Sequence, residues 1–194
     1  LLDLLHLSGR HTAVPGGARC LEVMVFCQAE LSRGDYPARA EFVYGEWLRE
    51  AFEAGETPMP ERDPEYSLVI AQAHQEAISL FGPPRSELLT DVSTEHINQA
   101  MRDALPDLLD GLRGDERNVL LTLARMWHTA STGKFITKDA AAEWAIPRLS
   151  DSDAMALDYA RRAYLGEVTD DWSSQGDAAR ELAGRMSENI TNSM

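Results

Sequence analysis

The spacing of the apolar residues changes once along this chain, near residue 64, and that change constrains the fold more than any other feature. Ahead of it the apolar runs are short and partly β-branched, as in Leu21-Glu22-Val23-Met24-Val25-Phe26. Beyond it they recur every three or four residues almost to the last residue, which is the period of one face of an α-helix. Pro58, Pro60 and Pro64 make residues 56–64 a linker-like boundary. The chain therefore reads as α+β, with two or so strands within residues 1–58 and a mainly α-helical bundle over residues 59–194. Its 194 residues suffice for a real core.

One strand is expected over residues 20–27 and a second over 41–47, the latter running into a short helix that ends near Gly55. Residues 10–19 and 31–40 carry loop signals. Tyr66, Val69, Ile70, Ala73, Ala77, Leu80 and Phe81 predict an amphipathic helix stopped by Gly82-Pro83-Pro84. The next helix is expected from Ser93 or Thr94 to about Leu112, kinked or split at Pro106. Another spans residues 115–131 before Gly133, and a short one begins after Thr137 and ends before Pro147. Ser150-Asp151-Ser152-Asp153 is a capping-box pattern, with Asp in the Glu position, opening a helix that ends at Gly166. The last helix opens with Ser174-x-x-Asp177 and runs toward Ile190.

There are 18 Lys and Arg against 32 Asp and Glu, a formal net charge of -14. That balance argues against a nucleic-acid partner and suits a cationic one. No apolar run approaches the roughly 18 residues that span a bilayer. Cys20 and Cys27 would point to opposite faces of one strand, too far apart to bridge, and two lone cysteines fit a reducing, cytoplasmic setting. The chain opens on Leu1-Leu2, and residues 1–7 read as the last turns of a helix stopped near Gly9, without the pattern of a signal peptide. The expectation is that the amino-terminal part of a larger protein is missing, although a short starter helix in a complete chain reads the same way.

Two features break their local rules, which is where function shows. Glu22 shares a strand face with Cys20, Met24 and Phe26, so it is either a carboxylate among core neighbours, in need of a cation or metal, or part of a solvated sheet edge. On the apolar helix at 115–131, Asp115, Asn118, Thr122, Arg125 and Thr129 fall on one narrow stripe, which either faces solvent or lines a cleft. Arg125, near its centre, has the geometry to hold a phosphate or a carboxylate. Weaker candidates are the five scattered histidines, none at a metal-helix spacing from another, and Asp151-Ser152-Asp153, which sits at a helix start and reads as a cap. Lys134 and Lys138 lie four residues apart, normally solvated but within reach of an anion.

The run Gly114-Asp115-Glu116-Arg117-Asn118-Val119-Leu120-Leu121-Thr122-Leu123-Ala124-Arg125-Met126-Trp127, continued by Thr132-Gly133-Lys134, Lys138-Asp139 and Glu143-Trp144-Ala145, resembles the aminoglycoside adenylyltransferases that modify streptomycin and spectinomycin. So do Tyr36-Pro37-Ala38-Arg39, Tyr44-Gly45-Glu46-Trp47 and Ala163-Tyr164-Leu165-Gly166. The resemblance implies a nucleotidyltransferase domain followed by a helical bundle, with ATP and drug in the cleft between them. Residues 1–58 would then be the carboxy-terminal remnant of the first domain. The implied reaction moves AMP onto a drug hydroxyl and releases pyrophosphate. By the same resemblance, Glu22 is the general base and a ligand of the magnesium ion. Arg125, Lys138, Tyr164 and Glu65 would bind ATP, while Trp47 and Asp115 would bind the aminoglycoside or aminocyclitol antibiotic. A cytoplasmic monomer, with no nucleic-acid or membrane partner, is expected.

Two departures from the family pattern qualify this. The Gly-Ser turn and the Asp-x-Asp pair that hold magnesium in the family have no counterpart here, and their place lies before residue 1. Glu22 alone cannot hold the ion, so the chain is expected to be inactive by itself. Streptomycin-modifying members also carry a Trp and an Asp where Pro106 and Gly111 stand here, with Asp107 and Asp110 close by. That favours the 9-hydroxyl of spectinomycin. The alternative is a helical module that binds a nucleotide or a cationic small molecule without chemistry.

Overall fold

The computed structural model describes residues 21–194. The helical turns expected at residues 1–7, the loop at 10–19 and Cys20 lie outside the described residues; Cys27 is an exposed free thiol. The fold is α+β. Strand β1 (Val23–Val25) pairs antiparallel with β3 (Phe42–Tyr44), in a register that sets Met24 opposite Val43. Strand β2 (Arg39–Ala40) pairs antiparallel with β4 (Glu61–Arg62). Both members of that second pair fall where loop or linker was expected, because a two-residue strand is too short to show alternation. The second strand ends at Tyr44 rather than at residue 47. Gly45 caps a 3₁₀ turn, Glu46–Leu48, which carries Trp47 and runs into α2 (Arg49–Glu53); a short α1 (Gln28–Leu31) precedes β2.

The bundle consists of α3 (Pro64–Glu76), α4 (Arg85–Leu88), α5 (Thr94–Asp110), α6 (Glu116–Thr132), α7 (Lys138–Ala145), α8 (Asp151–Tyr164) and α9 (Gly176–Ser193). Asp63 caps α3 by accepting from the Glu65 N–H at 2.7 Å, with Pro64 in the first turn where its missing N–H costs nothing. The apolar period that predicted helix through Phe81 continues in sequence but not in space. Ala77 turns extended, its carbonyl accepts from Arg85 Nη1 at 2.6 Å, and Leu80 and Phe81 stand 95% and 96% exposed. Pro106 neither splits nor ends α5, since it lies on an exposed face where water can take the carbonyl it leaves without a helical donor. The expected Ser174 cap does not form: Gln175 is the N-cap of α9, without a side-chain bond, and Asp177 pairs with Arg180 at 2.8 Å. Ser150 does cap α8, accepting from the Asp153 N–H, and Asp153 forms a bidentate pair with Arg185 of α9.

Helix α6 is the spine. Leu120, Leu121, Leu123 and Ala124 are wholly buried, and α7, α8 and α9 pack around it with Leu157, Leu182, Met186 and Ile190. The small sheets have their own core, in which Ala38, Ala40 and Val43 meet Tyr66 and Ile70 of α3. Ala71 of that helix belongs to the bundle core, with Leu68 packed against it. One helix thus serves both cores, and its remaining face is left for something else.

Candidate functional site

That remaining face opens on a cleft of about 530 Å³ between the β1 end of the small sheet and the bundle. Glu65, Leu68, Val69 and Gln72 of α3 form one side. Thr122, Arg125, Met126 and Thr129 of α6 form another, and Asp103, Asp107 and Leu108 of α5 a third. Glu22 and Met24 reach in from the strand. Of the polar stripe on α6, Thr122, Arg125 and Thr129 therefore line a cavity, while Asp115 and Asn118 at its amino-terminal end lie outside that lining and Asp115 is exposed. Glu22, however, is exposed and just ahead of β1, so it is a rim carboxylate and not one embedded among core side chains. The face it shares with Met24 is half open because the cleft, not a packed layer, lies beyond it.

Arg125 is half-buried at the cleft floor. Its Nη2 donates to Gln72 Oε1 at 2.8 Å, while its buried Nε has no partner among the described residues. Burial pulls the guanidinium pKa below its ordinary value, against the nearby Glu76, Tyr164 and Glu65, which raise it. Lys138, at the start of α7, is depressed likewise, first by burial and then by Arg125. Asp115 and Glu22 act on it in the opposite sense, which ties all of these groups to one neighbourhood. Glu65 is pushed above the ordinary carboxylate range by desolvation, then by Asp63 and Glu22, with Arg125 and Lys138 pulling back. The site is thus a desolvated cation pair facing an acidic rim. Desolvated cations side by side favour a polyanion, and crowded carboxylates favour a cation or a shared proton.

Of the remaining expected site residues, Asp115 stands at the start of α6 and accepts from Asn118 Nδ2 at 2.6 Å. Tyr164 ends α8, close enough to Arg125 to act on its charge. Trp47 is absent from the main cleft. It lines an adjoining recess of about 440 Å³ with Met59, Glu61 and Tyr66, and Glu22, Met24, Asp63 and Glu65 border both spaces. Lys134, by contrast, is exposed. Sequence reasoning missed Gln72, the partner of Arg125, and Asp63, the cap that also lines both spaces. Gln72 lies seven residues after Glu65, two helical turns along one face, which was the available signal. Among the described residues no group of three or more His, Cys, Asp or Glu is placed to hold a metal ion.

Residues 87–189 match the family described as the C-terminal domain of aminoglycoside adenylyltransferase. Spectinomycin 9-adenylyltransferase of Staphylococcus aureus is 46% identical over 176 residues, covering 91% of this chain and 68% of that protein. The enzyme of the same name from Campylobacter jejuni is 38% identical over 97% of this chain and 72% of its own. Aminoglycoside (3'') (9) adenylyltransferase of Escherichia coli is 34% identical over the same shares. The crystal structure of a spectinomycin adenyltransferase from Enterococcus faecialis, with ATP and spectinomycin, superposes with a TM-score of 0.83 at 28% identity, over 92% of this chain and 71% of that one. The chain belongs to the aminoglycoside adenylyltransferase family.

Proposed function

We propose that the cleft binds ATP and an aminocyclitol antibiotic, spectinomycin before streptomycin, for transfer of AMP to a drug hydroxyl. The carrying observation is the buried Nε of Arg125, a charged donor without a partner on the floor of a cleft whose rim is acidic. A phosphate oxygen would satisfy it, with Lys138 as the second cation and Tyr164 and Glu65 beside the nucleotide. Trp47 offers the drug a flat apolar wall, and Asp115 a counter-charge for its amine. Glu22 borders both spaces, so it can accept the hydroxyl proton as that oxygen attacks the α-phosphate. A new phosphorus–oxygen bond forms, the bond to the β-phosphate breaks, and pyrophosphate leaves.

The magnesium expected from the family pattern does not fit the described residues. Glu22 supplies one carboxylate, no metal-holding group surrounds it, and Asp153 of the lone Asp-x-Asp is occupied by Arg185. The 194 residues alone are therefore expected to bind both ligands without turnover. With this reading go residues 1–58 as the nucleotidyltransferase part, 59–194 as the bundle, and a cytoplasmic monomer. The preference for spectinomycin is supported by Pro106 and Gly111, and by the names of the relatives at 46% and 38% identity.

Calorimetric titration tests the reading. ATP and spectinomycin should each bind, and streptomycin should bind more weakly; equal or tighter streptomycin binding would overturn the drug preference. In a chain that also carries the family's Gly-Ser and Asp-x-Asp motifs, Glu22→Gln should abolish transfer and leave drug affinity within about twofold. Retained turnover would remove Glu22 from the base role.

A further inference from the structure

We infer that Gly45 is a positioning residue for drug recognition: its missing side chain is the space in which the indole of Trp47 lies. The inference rests on the reading of Trp47 as the drug-facing wall. Gly45 is buried, and its backbone is extended (φ -149, ψ 167), a conformation open to any residue. Conformational freedom is therefore no reason for glycine here. Space is. A Cβ at Gly45 would stand 2.1 Å from Cη2 and Cζ3 of Trp47 and 2.5 Å from Cε3, well inside van der Waals contact. A side chain at 45 and the ring in its present place cannot coexist.

Which of the two would yield follows from their surroundings. The turn after Gly45 is closed by the Leu48 N–H donating to the Gly45 carbonyl at 2.9 Å, and Arg49 forms a two-pronged pair with Glu46. Trp47 is 63% exposed, so its ring has open solvent to swing into. An added methyl would displace the indole and leave the backbone where it is. The ring would then abandon the recess it shares with Glu22, Met59 and Glu65. Gly45→Ala is accordingly cheap for the fold and costly for the drug.

The test compares wild type, Gly45→Ala, Trp47→Ala and the double variant, all in the 194-residue chain. Thermal melts, ATP and spectinomycin titrations and the NMR signal of the Trp47 indole N–H are read for each. In Gly45→Ala the indole signal should move, the midpoint should stay within about 2 °C, and ATP affinity should be unchanged. Spectinomycin affinity should fall on the order of tenfold, the scale of losing burial against one apolar ring face. The double variant should bind spectinomycin no more weakly than Trp47→Ala alone, because both changes remove one interaction. Wild-type drug affinity in Gly45→Ala, with a loss in Trp47→Ala, overturns the role of Gly45 and leaves the site reading intact. Full affinity in both variants, or no drug binding by the wild type, removes the site reading and this inference with it. A Gly45→Ala chain that unfolds, or melts many degrees lower, also overturns the inference, since the space would then be held by something that cannot move.

Discussion

Arg125 is the place where stability and function should pull apart, and Arg125→Met measures the pull. The substitution keeps the length of the side chain and removes its charge. On the debit side stands the bond from Nη2 to Gln72 Oε1 at 2.8 Å. A charged donor makes such a bond worth about 1.5–3 kcal/mol, reduced to about 1 here because Gln72 lines an open cleft and water can replace the donor. On the credit side, the buried Nε with no partner disappears, a relief of about 1–3 kcal/mol, and a desolvated charge goes with it. Without ligand the variant should therefore be as stable as wild type or up to about 2 kcal/mol more so, a rise of 0 to about 8 °C in melting midpoint. With ATP the order reverses. Loss of charge-assisted phosphate contacts should weaken binding on the order of 100-fold, about 2.7 kcal/mol. At a concentration 100 times the wild-type Kd, ATP stabilises wild type by about 2.7 kcal/mol and the variant by only about 0.4. Melting curves with and without ATP should cross over. A midpoint several degrees lower in the absence of ATP would make Arg125 a structural tie. An unchanged ATP shift would show that it does not meet the phosphates.

Arg185→Ala should cost about 2 kcal/mol in urea unfolding, because it strands the buried Asp153 carboxylate; the full cost of breaking a buried pair is reduced since Arg185 is itself 44% exposed. The Arg185 hydrogen bonds hold Asp153 below its ordinary range, so their stabilisation is present above that range and lost as pH falls through the depressed folded value; a variant with unchanged acid sensitivity would refute the pairing. Glu65 has the opposite sign. Its raised folded pKa favours the fold below the ordinary carboxylate value and loses that benefit as pH rises, so Glu65→Gln should melt slightly higher than wild type at neutral pH. The gain is a few tenths of a kcal/mol, given the exposure of the residue, and should vanish below the carboxylate range; a difference that does not vary with pH refutes it. Phe81→Ser should change stability by no more than about 0.5 kcal/mol, since the ring is 96% exposed; a loss of core size would restore it to the helix period.

The bundle was legible because its signals are local. Ser93 and Ser150 both accept from a backbone N–H three residues on, and Gly133 takes φ 71 just after the last turn of α6. Periodicity failed where the chain left the core while keeping the pattern, as at Leu80 and Phe81. A helix period records what a residue could cover, and only the path after Ala77 decides whether anything is there. Arg125 was visible as a polar residue on an apolar helix. Glu22 was visible too, but whether it sat among core neighbours or on a solvated edge stayed open, since alternation cannot distinguish a core face from a cleft face; its exposed position matches the second alternative. Gln72 and Asp63 were hidden because polar residues at a helix cap or on its surface are ordinary, and only the tertiary approach of α6 gives them partners.

That approach also explains why α3 is patterned as it is. Tyr66 and Ile70 belong to the core of the small sheets, Ala71 to the core of the bundle, and Glu65, Val69 and Gln72 face the cleft. A helix with one core face can shift along or about its axis at modest cost, whereas this one is held on two sides by separate hydrophobic clusters. Ser67 adds a third tie, accepting from the Ala38 N–H at 3.0 Å from within the interface. Any movement that widened the gap between Glu65 and Arg125 would have to disturb both cores and break that bond. The span between the acidic rim and the cationic floor is therefore set by packing outside the cleft. The Nε of Arg125, unpartnered among the described residues, stays so for the same reason: the walls cannot close to satisfy it, so the donor stays available to whatever enters.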